Sequence, residues 1–170
     1  MKPPIFNKLD GGKIEPSVSV ILRLFQFRQN TPCKKEAGGV LIGRYIQNSF
    51  NIVIDDITVP MRGDCRKRYS FFRAQRRHQQ AIDQVWRNSA GTSHYLGEWH
   101  THPEPIPEPS DIDLKNWQRH LQQDVFNGDT LYFVIVGTKR LRVWEGNRLS
   151  LNFEWIGEAD FTGVNIKRHW

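Results

Sequence analysis

No stretch of this 170-residue chain approaches the roughly 18 uninterrupted apolar residues of a membrane span. Its first residues, Met1 to Lys8, hold no apolar run of signal-peptide length. Both absences lead us to expect a cytoplasmic protein with no membrane partner. Cysteine is scarce too. Cys33 and Cys65 are too few for a disulfide framework, they fit a reducing compartment, and neither acquires a role from its neighbours. Internal repeats and low-complexity linkers are missing, which excludes solenoid and array architectures.

What remains is ordinary material for one packed domain, with 38% hydrophobic and 12% aromatic residues. The net charge is +6, and it is unevenly spread. Arg62, Arg66, Lys67, Arg68, Arg73, Arg76 and Arg77 are offset only by Asp64. Such a block marks a solvated face or a surface for an acidic partner.

Residues 1–13 read as a loose N-terminal arm, and residues 14–170 as a single domain. Val20, Ile21, Leu24 and Phe27 recur at helical spacing, so a helix is expected over 17–28 behind Pro16. The glycine-rich run 36–45 predicts a buried strand, Asn48 to Asn51 a turn, and 52–59 its antiparallel partner. A helix over 74–89 with Ile82, Val85 and Trp86 on one face precedes a strand over 94–99. A further helix is expected from Asp111 to about Gln123, then a hairpin of 131–136 and 141–144. Strands at 149–155 and 163–166 complete an α+β domain, a mixed sheet flanked by helices.

Chemistry concentrates in one stretch. His100 and His102 lie two apart at a strand end, so their imidazoles share a face. Pro103, Pro105, Pro107 and Pro109 then enforce a stiff, extended segment that leads to Ser110 and Asp113 at a helix start. Taken alone, Ser110 and Asp113 are an ordinary N-cap and first-turn acid, and an isolated pair of histidines is weak evidence. In combination, two imidazoles and one carboxylate supply three ligands, leaving the open fourth position that a catalytic zinc needs for water. A base must also take a proton from that water. Glu36 opens a buried strand and Glu98 shares the His100 face, and spacing does not choose between them. Trp99 alternates away from the histidines and suits the core. His78, His94 and His120 have no partners at ligand spacing and read as surface or helix-face residues.

His100-Thr101-His102, seven residues, Ser110, two residues and Asp113 resemble the His-(Ser/Thr)-His-x7-Ser-x2-Asp motif of the JAMM metalloproteases at every position. The run from Glu36 to Gly43 resembles that family's Glu-bearing strand. The resemblance spans roughly residues 14–145. It implies an MPN/JAB, cytidine-deaminase-like fold with a mixed curved sheet, and one catalytic Zn²⁺ on His100, His102 and Asp113. It also implies Glu36 as the base and Ser110 as a hydrogen-bond donor to the oxyanion, and hydrolysis after the C-terminal tail of ubiquitin-like proteins.

The compact length, the run from Gly97 to Glu104 and the Arg-Tyr-Ser-Phe-Phe-Arg segment (68–73) are similar to bacterial JAB-type deconjugating peptidases of mobile elements and CBASS antiphage operons. That likeness implies a protein substrate, the tail of a cGAS-like nucleotidyltransferase conjugated by an E1–E2-like partner. An extended tail needs a groove, and the segment from Arg62 to Phe72 is the expected wall, with Arg66, Arg68, Phe71 and Phe72 touching substrate. Processing of a sulfur-carrier or ubiquitin-like precursor is the nearest alternative. A non-catalytic MPN module is disfavoured by the complete ligand set. A basic nucleic-acid-binding module is disfavoured because no recognised binding motif accompanies the charge.

Overall fold

The computed structural model describes residues 2–161. In chain order these form β1 (Phe6–Asn7), β2 (Lys13–Pro16), α1 (Val18–Gln26), β3 (Gly38–Tyr45), β4 (Ile52–Ile57), β5 (Cys65–Lys67) and β6 (Ser70–Phe72). There follow α2 (Gln75–Asn88), β7 (His94–Thr101), α3 (Asp111–Gln123), β8 (Thr130–Val136), β9 (Arg140–Asn147) and β10 (Phe153–Asp160). Eight strands make one mixed sheet in the order β1-β2-β4-β3-β7-β8-β9-β10, while β5 and β6 pair as a separate hairpin. The β2–β4 and β7–β8 pairs are parallel and the other pairs antiparallel. No helix among the described residues is long and apolar enough to cross a membrane.

Strand β8 shows why the sheet is covered on both faces. Its alternate residues divide between two cores. Tyr132, Val134 and Val136 join Ile21, Leu24 and Phe25 of α1. Leu131, Phe133 and Ile135 join Trp117 and Leu121 of α3. Period-two alternation produces this split, and a strand buried on both faces reads as one continuous apolar run. Each fully buried side chain of this kind stabilises the fold by about 1.5–3 kcal/mol. Trp117 stacks on Phe133 at 4.6 Å between ring centroids and fixes α3 against the sheet.

Three parts of the sequence reading change. The first residues are not loose. Phe6 is buried in the α1-side core and β1 pairs with β2. Its ring approaches so closely that a Cβ on Gly157 of β10 would lie 2.9 Å from it, so the sheet edges curl toward each other. Helix α2 is not anchored by Trp86, which is exposed, but by His78, the one buried residue of that helix. The final strand pairing with β9 lies at Phe153–Asp160 rather than 149–155, and the strand expected at 163–166 lies outside the described residues.

Candidate metal centre and cleft

A single irregularity decides which way the central strand presents its side chains. Opposite β3, Leu41 pairs with Gly97 and Ile42 with Tyr95, so β7 carries one extra residue, Leu96. A bulge of this kind resets the alternation. Leu96 and Trp99 therefore both enter the α1-side core, although strict alternation would part them. Glu98, His100 and His102 face a cleft of about 290 Å³. Gly97 permits the bulge. It sits at φ +144°, and a Cβ there would meet the Tyr132 carbonyl oxygen at 1.8 Å.

Three side chains bring donor atoms together in the cleft. His100 Nε2 and His102 Nε2 are 3.0 Å apart. Asp113 Oδ1 lies 3.2 Å from the first and Oδ2 3.3 Å from the second. Ligands of a tetrahedral zinc stand about 3.3–3.5 Å apart, given metal–ligand distances of about 2.0–2.2 Å. The two nitrogen–oxygen edges, one to each carboxylate oxygen, are close to that spacing, and the nitrogen–nitrogen edge is somewhat shorter. The other nitrogen of His102, Nδ1, is buried without a hydrogen bond, with Glu104 Oε2 3.6 Å away, so Nε2 is the atom aimed inward. Burial acts to raise the Asp113 carboxyl, but hydrogen bonds from His100, His102 and Ser110 hold it far below the usual carboxylate range. Burial acts to lower His102, but its hydrogen bond to Asp113 and the charges of Asp113, Glu36 and Glu104 together raise it.

Asp113 reaches the site from the first turn of α3. Ser110 is the N-cap, and the Asp113 carboxylate accepts from the Ser110 backbone N–H and hydroxyl, both at 2.7 Å. Capping and convergence on the histidines thus fall on the same carboxylate. The proline segment is docked rather than free-standing. Thr138 N–H donates to the Glu104 carbonyl at 2.8 Å, Arg140 N–H to that of Pro105 at 3.1 Å, and Arg142 pairs with Glu108.

Of the two candidate bases, geometry separates one from the other. Glu98 is committed to Arg73 and, at 3.2 Å, to His120 Nε2. Glu36 lies just before β3 in the same cleft, is buried, and its carboxylate makes no hydrogen bond with the described residues. Burial pushes its carboxyl up to about 7. Asp113 and Glu104 add to the rise, and His102 opposes it. A buried carboxyl poised near neutrality is the property a general base needs.

The sequence reading missed two histidines. His78 is fully buried, receiving the Thr58 hydroxyl on Nδ1 at 2.6 Å and donating from Nε2 to Asp64 at 3.0 Å. His120 holds Asp124 at 2.9 Å and Glu98 through its two nitrogens. Because the two nitrogens serve different carboxylates, this group is an ion-pair network on the cleft wall rather than a second metal cage. The i, i+4 spacing of His120 and Asp124 was the available signal. Arg66 and Arg68 do not line the cleft. Arg66 Nε donates to the Glu36 carbonyl at 2.7 Å and Arg68 to those of Thr31 and Lys34, so both brace the loop before β3. Phe71 and the exposed Phe72 line the cleft, as does Ile112 of α3.

Comparison with known proteins identifies the family. Residues 18–148 match the family model described as prokaryotic homologs of the JAB domain. A "CD-NTase/cGAS isopeptidase" of Vibrio cholerae serotype O1 is 38% identical over 129 residues, 76% of this chain and 78% of the relative. One of Escherichia coli is 36% identical over 130 residues, with the same coverage of both chains. A third, of Pseudomonas aeruginosa, is 41% identical over 96 residues, 55% of this chain and 60% of the relative. The solution structure of protein DSY2949 from Desulfitobacterium hafniense superposes with a TM-score of 0.58 at 17% identity, over 84% of this chain and 88% of that one. It shares the fold. With most of its length matched by the family model, and with its fold and cleft arranged as described, the chain belongs to the prokaryotic JAB-domain family.

Proposed function

We propose that this protein is a zinc-dependent isopeptidase that frees the C-terminal tail of a conjugated protein, a cGAS-like nucleotidyltransferase joined to targets by an E1–E2-like partner in antiphage defence. The observation that carries the chemistry is the convergence of His100, His102 and Asp113 beside an uncommitted, buried Glu36 in one cleft. The substrate assignment rests on the relatives' names and their 36–41% identity.

His100, His102 and Asp113 would hold zinc, which would supply Lewis-acid polarisation of a carbonyl and make a water more acidic. Glu36 accepts the proton of the attacking water as the C–O bond forms, and delivers it to the amide nitrogen as the C–N bond breaks. The products are a free carboxylic acid and the amine of the former target lysine. Ser110 turns its hydroxyl hydrogen from Asp113 to the oxygen that develops negative charge, a contribution of the kind whose removal elsewhere costs about 10²–10³-fold in rate. The tail lies extended along the β6 edge, where backbone hydrogen bonds hold it and Phe71, Phe72 and Ile112 bracket its side chains.

The test incubates zinc-loaded protein and Glu36→Ala with conjugates of a nucleotidyltransferase tail and with ubiquitin-like or sulfur-carrier precursors, and locates any cut by mass spectrometry. Cleavage at the isopeptide bond by the unmutated protein alone is expected. Cleavage of precursors only would reassign the substrate. Equal cleavage by both proteins would remove Glu36 as the base.

A further inference from the structure

His100 and His102 face the cleft, and the residue between them faces the opposite way. Thr101 is fully buried. Its hydroxyl accepts from the Ala37 N–H at 3.0 Å and donates to Gln29 Oε1 at 3.0 Å, while its own N–H donates to the Ala37 carbonyl at 2.8 Å. Gln29, in the loop after α1, is only 2% exposed. Its amide nitrogen donates to the carbonyls of Arg68 at 2.8 Å and Lys34 at 3.3 Å. Both hydrogens of that amide are thereby used. One side chain joins three segments that are separate in sequence: the strand of the two histidines, the loop that carries Glu36, and the β5–β6 turn behind the cleft wall.

This matters because the Glu36 carboxylate has no hydrogen bond of its own to hold it. Its place is set through backbone alone. Glu36 N–H donates to the Lys67 carbonyl at 2.8 Å, its carbonyl accepts from Arg66, and the next residue is tied at both N–H and carbonyl to Thr101. We propose that Gln29, acting through Thr101, is a positioning residue that sets Glu36 against the His100–His102 pair and fixes the β5–β6 hairpin to both. The assignment rests on the peptidase reading above. Removing either partner leaves buried polar groups unsatisfied inside a connected network, so the effects of the two residues are coupled rather than independent.

The experiment compares Gln29→Met, which keeps length and loses the hydrogen bonds, with Thr101→Val, Thr101→Ser and the Gln29→Met/Thr101→Val double variant in the full chain. Readouts are zinc stoichiometry, kcat and KM on an isopeptide-linked probe, and amide hydrogen exchange. Gln29→Met and Thr101→Val should each lower kcat by about 10–100-fold, the scale of a 1 Å misplacement, with KM changing far less and zinc still stoichiometric. Thr101→Ser should stay within about threefold of the unmutated protein, and the double variant should fall well short of the product of the singles. In the exchange experiment, Gln29→Met should accelerate residues 34–37 and 66–70 together while the β8 core stays protected. A Gln29→Met protein with kcat within twofold of the original overturns the proposal. So does a loss of activity matched by a uniform rise in exchange across the chain. If the unmutated protein cleaves nothing, the peptidase reading falls, and the exchange pattern alone then decides whether Gln29 joins the three segments.

Discussion

Replacing Glu36 with Gln should stabilise the metal-free protein at neutral pH while sharply lowering kcat of the zinc-loaded one. Burial lifts the Glu36 carboxyl from 4.5 to about 7, so the folded protein holds that proton more tightly than the unfolded chain. Stability from this group is fully present below pH 4.5 and is lost as pH rises to about 7, because the unfolded chain ionises first. The displacement corresponds to roughly 3 kcal/mol, at about 1.4 kcal/mol for each tenfold change in proton affinity. Gln carries no such penalty. In urea titrations of metal-free protein, the stability difference between Glu36→Gln and the original should therefore grow by about 3 kcal/mol between pH 4 and pH 8. Taking the difference cancels the titration of groups that do not sense the Glu36 charge; His102, which that charge raises, responds with it. Metal-free protein is the right material because a bound cation would draw the carboxyl back down. Zinc-loaded Glu36→Gln should lose about 10²–10⁴-fold in kcat. Parallel pH profiles for the two proteins would refute the reasoning, since Glu36 would then be solvated and ordinary.

Three further outcomes follow from the geometry. His102→Ala and Asp113→Asn should each abolish stoichiometric zinc, measured by elemental analysis, and cleavage with it. Ser110→Gly should keep the helix start within a few tenths of a kcal/mol, because Gly is a tolerated N-cap, yet lower kcat by about 10²–10³-fold. An unchanged kcat would confine Ser110 to capping. Gly97→Ala should destabilise the fold by more than about 4 kcal/mol, since its Cβ would lie 1.8 Å from the Tyr132 carbonyl oxygen. A stable and active variant would show that the bulge is not what aims the histidines.

Much of the site was legible because its groups are close in sequence and tied to local structure. Strand alternation puts His100 and His102 on one face, and a capping pattern starts α3 at Ser110 with Asp113 in its first turn. Helix α1 announced itself by apolar spacing, and the Ser17 hydroxyl accepts the Val20 N–H at its start. The misreadings share a cause. Phe6 and His78 carry no periodic signal of their own, and their partners lie in other segments, while His120 has Asp124 one turn away but meets Glu98 only across the cleft. Arg66 and Arg68 look like free cations in a basic run, but they bond backbone carbonyls of the 31–36 loop, which composition cannot reveal.

The division between the two levels is therefore physical. Local order and spacing by themselves determined the donor set, the helix that delivers Asp113 and the strand that carries the histidines. Spacing leaves Glu36 and Glu98 level and the resemblance implies Glu36, whereas only the tertiary structure sets their surroundings apart, because that depends on which carboxylate finds a partner across the cleft. Glu98 meets Arg73 and His120 there, and Glu36 meets none and is pushed toward neutrality by burial. Tertiary structure also decided which face the histidines occupy, through the extra residue at the Leu96–Gly97 bulge, and it brought Gln29 beneath them. Pairing and burial are properties of distance in space, and spacing along a chain does not encode them.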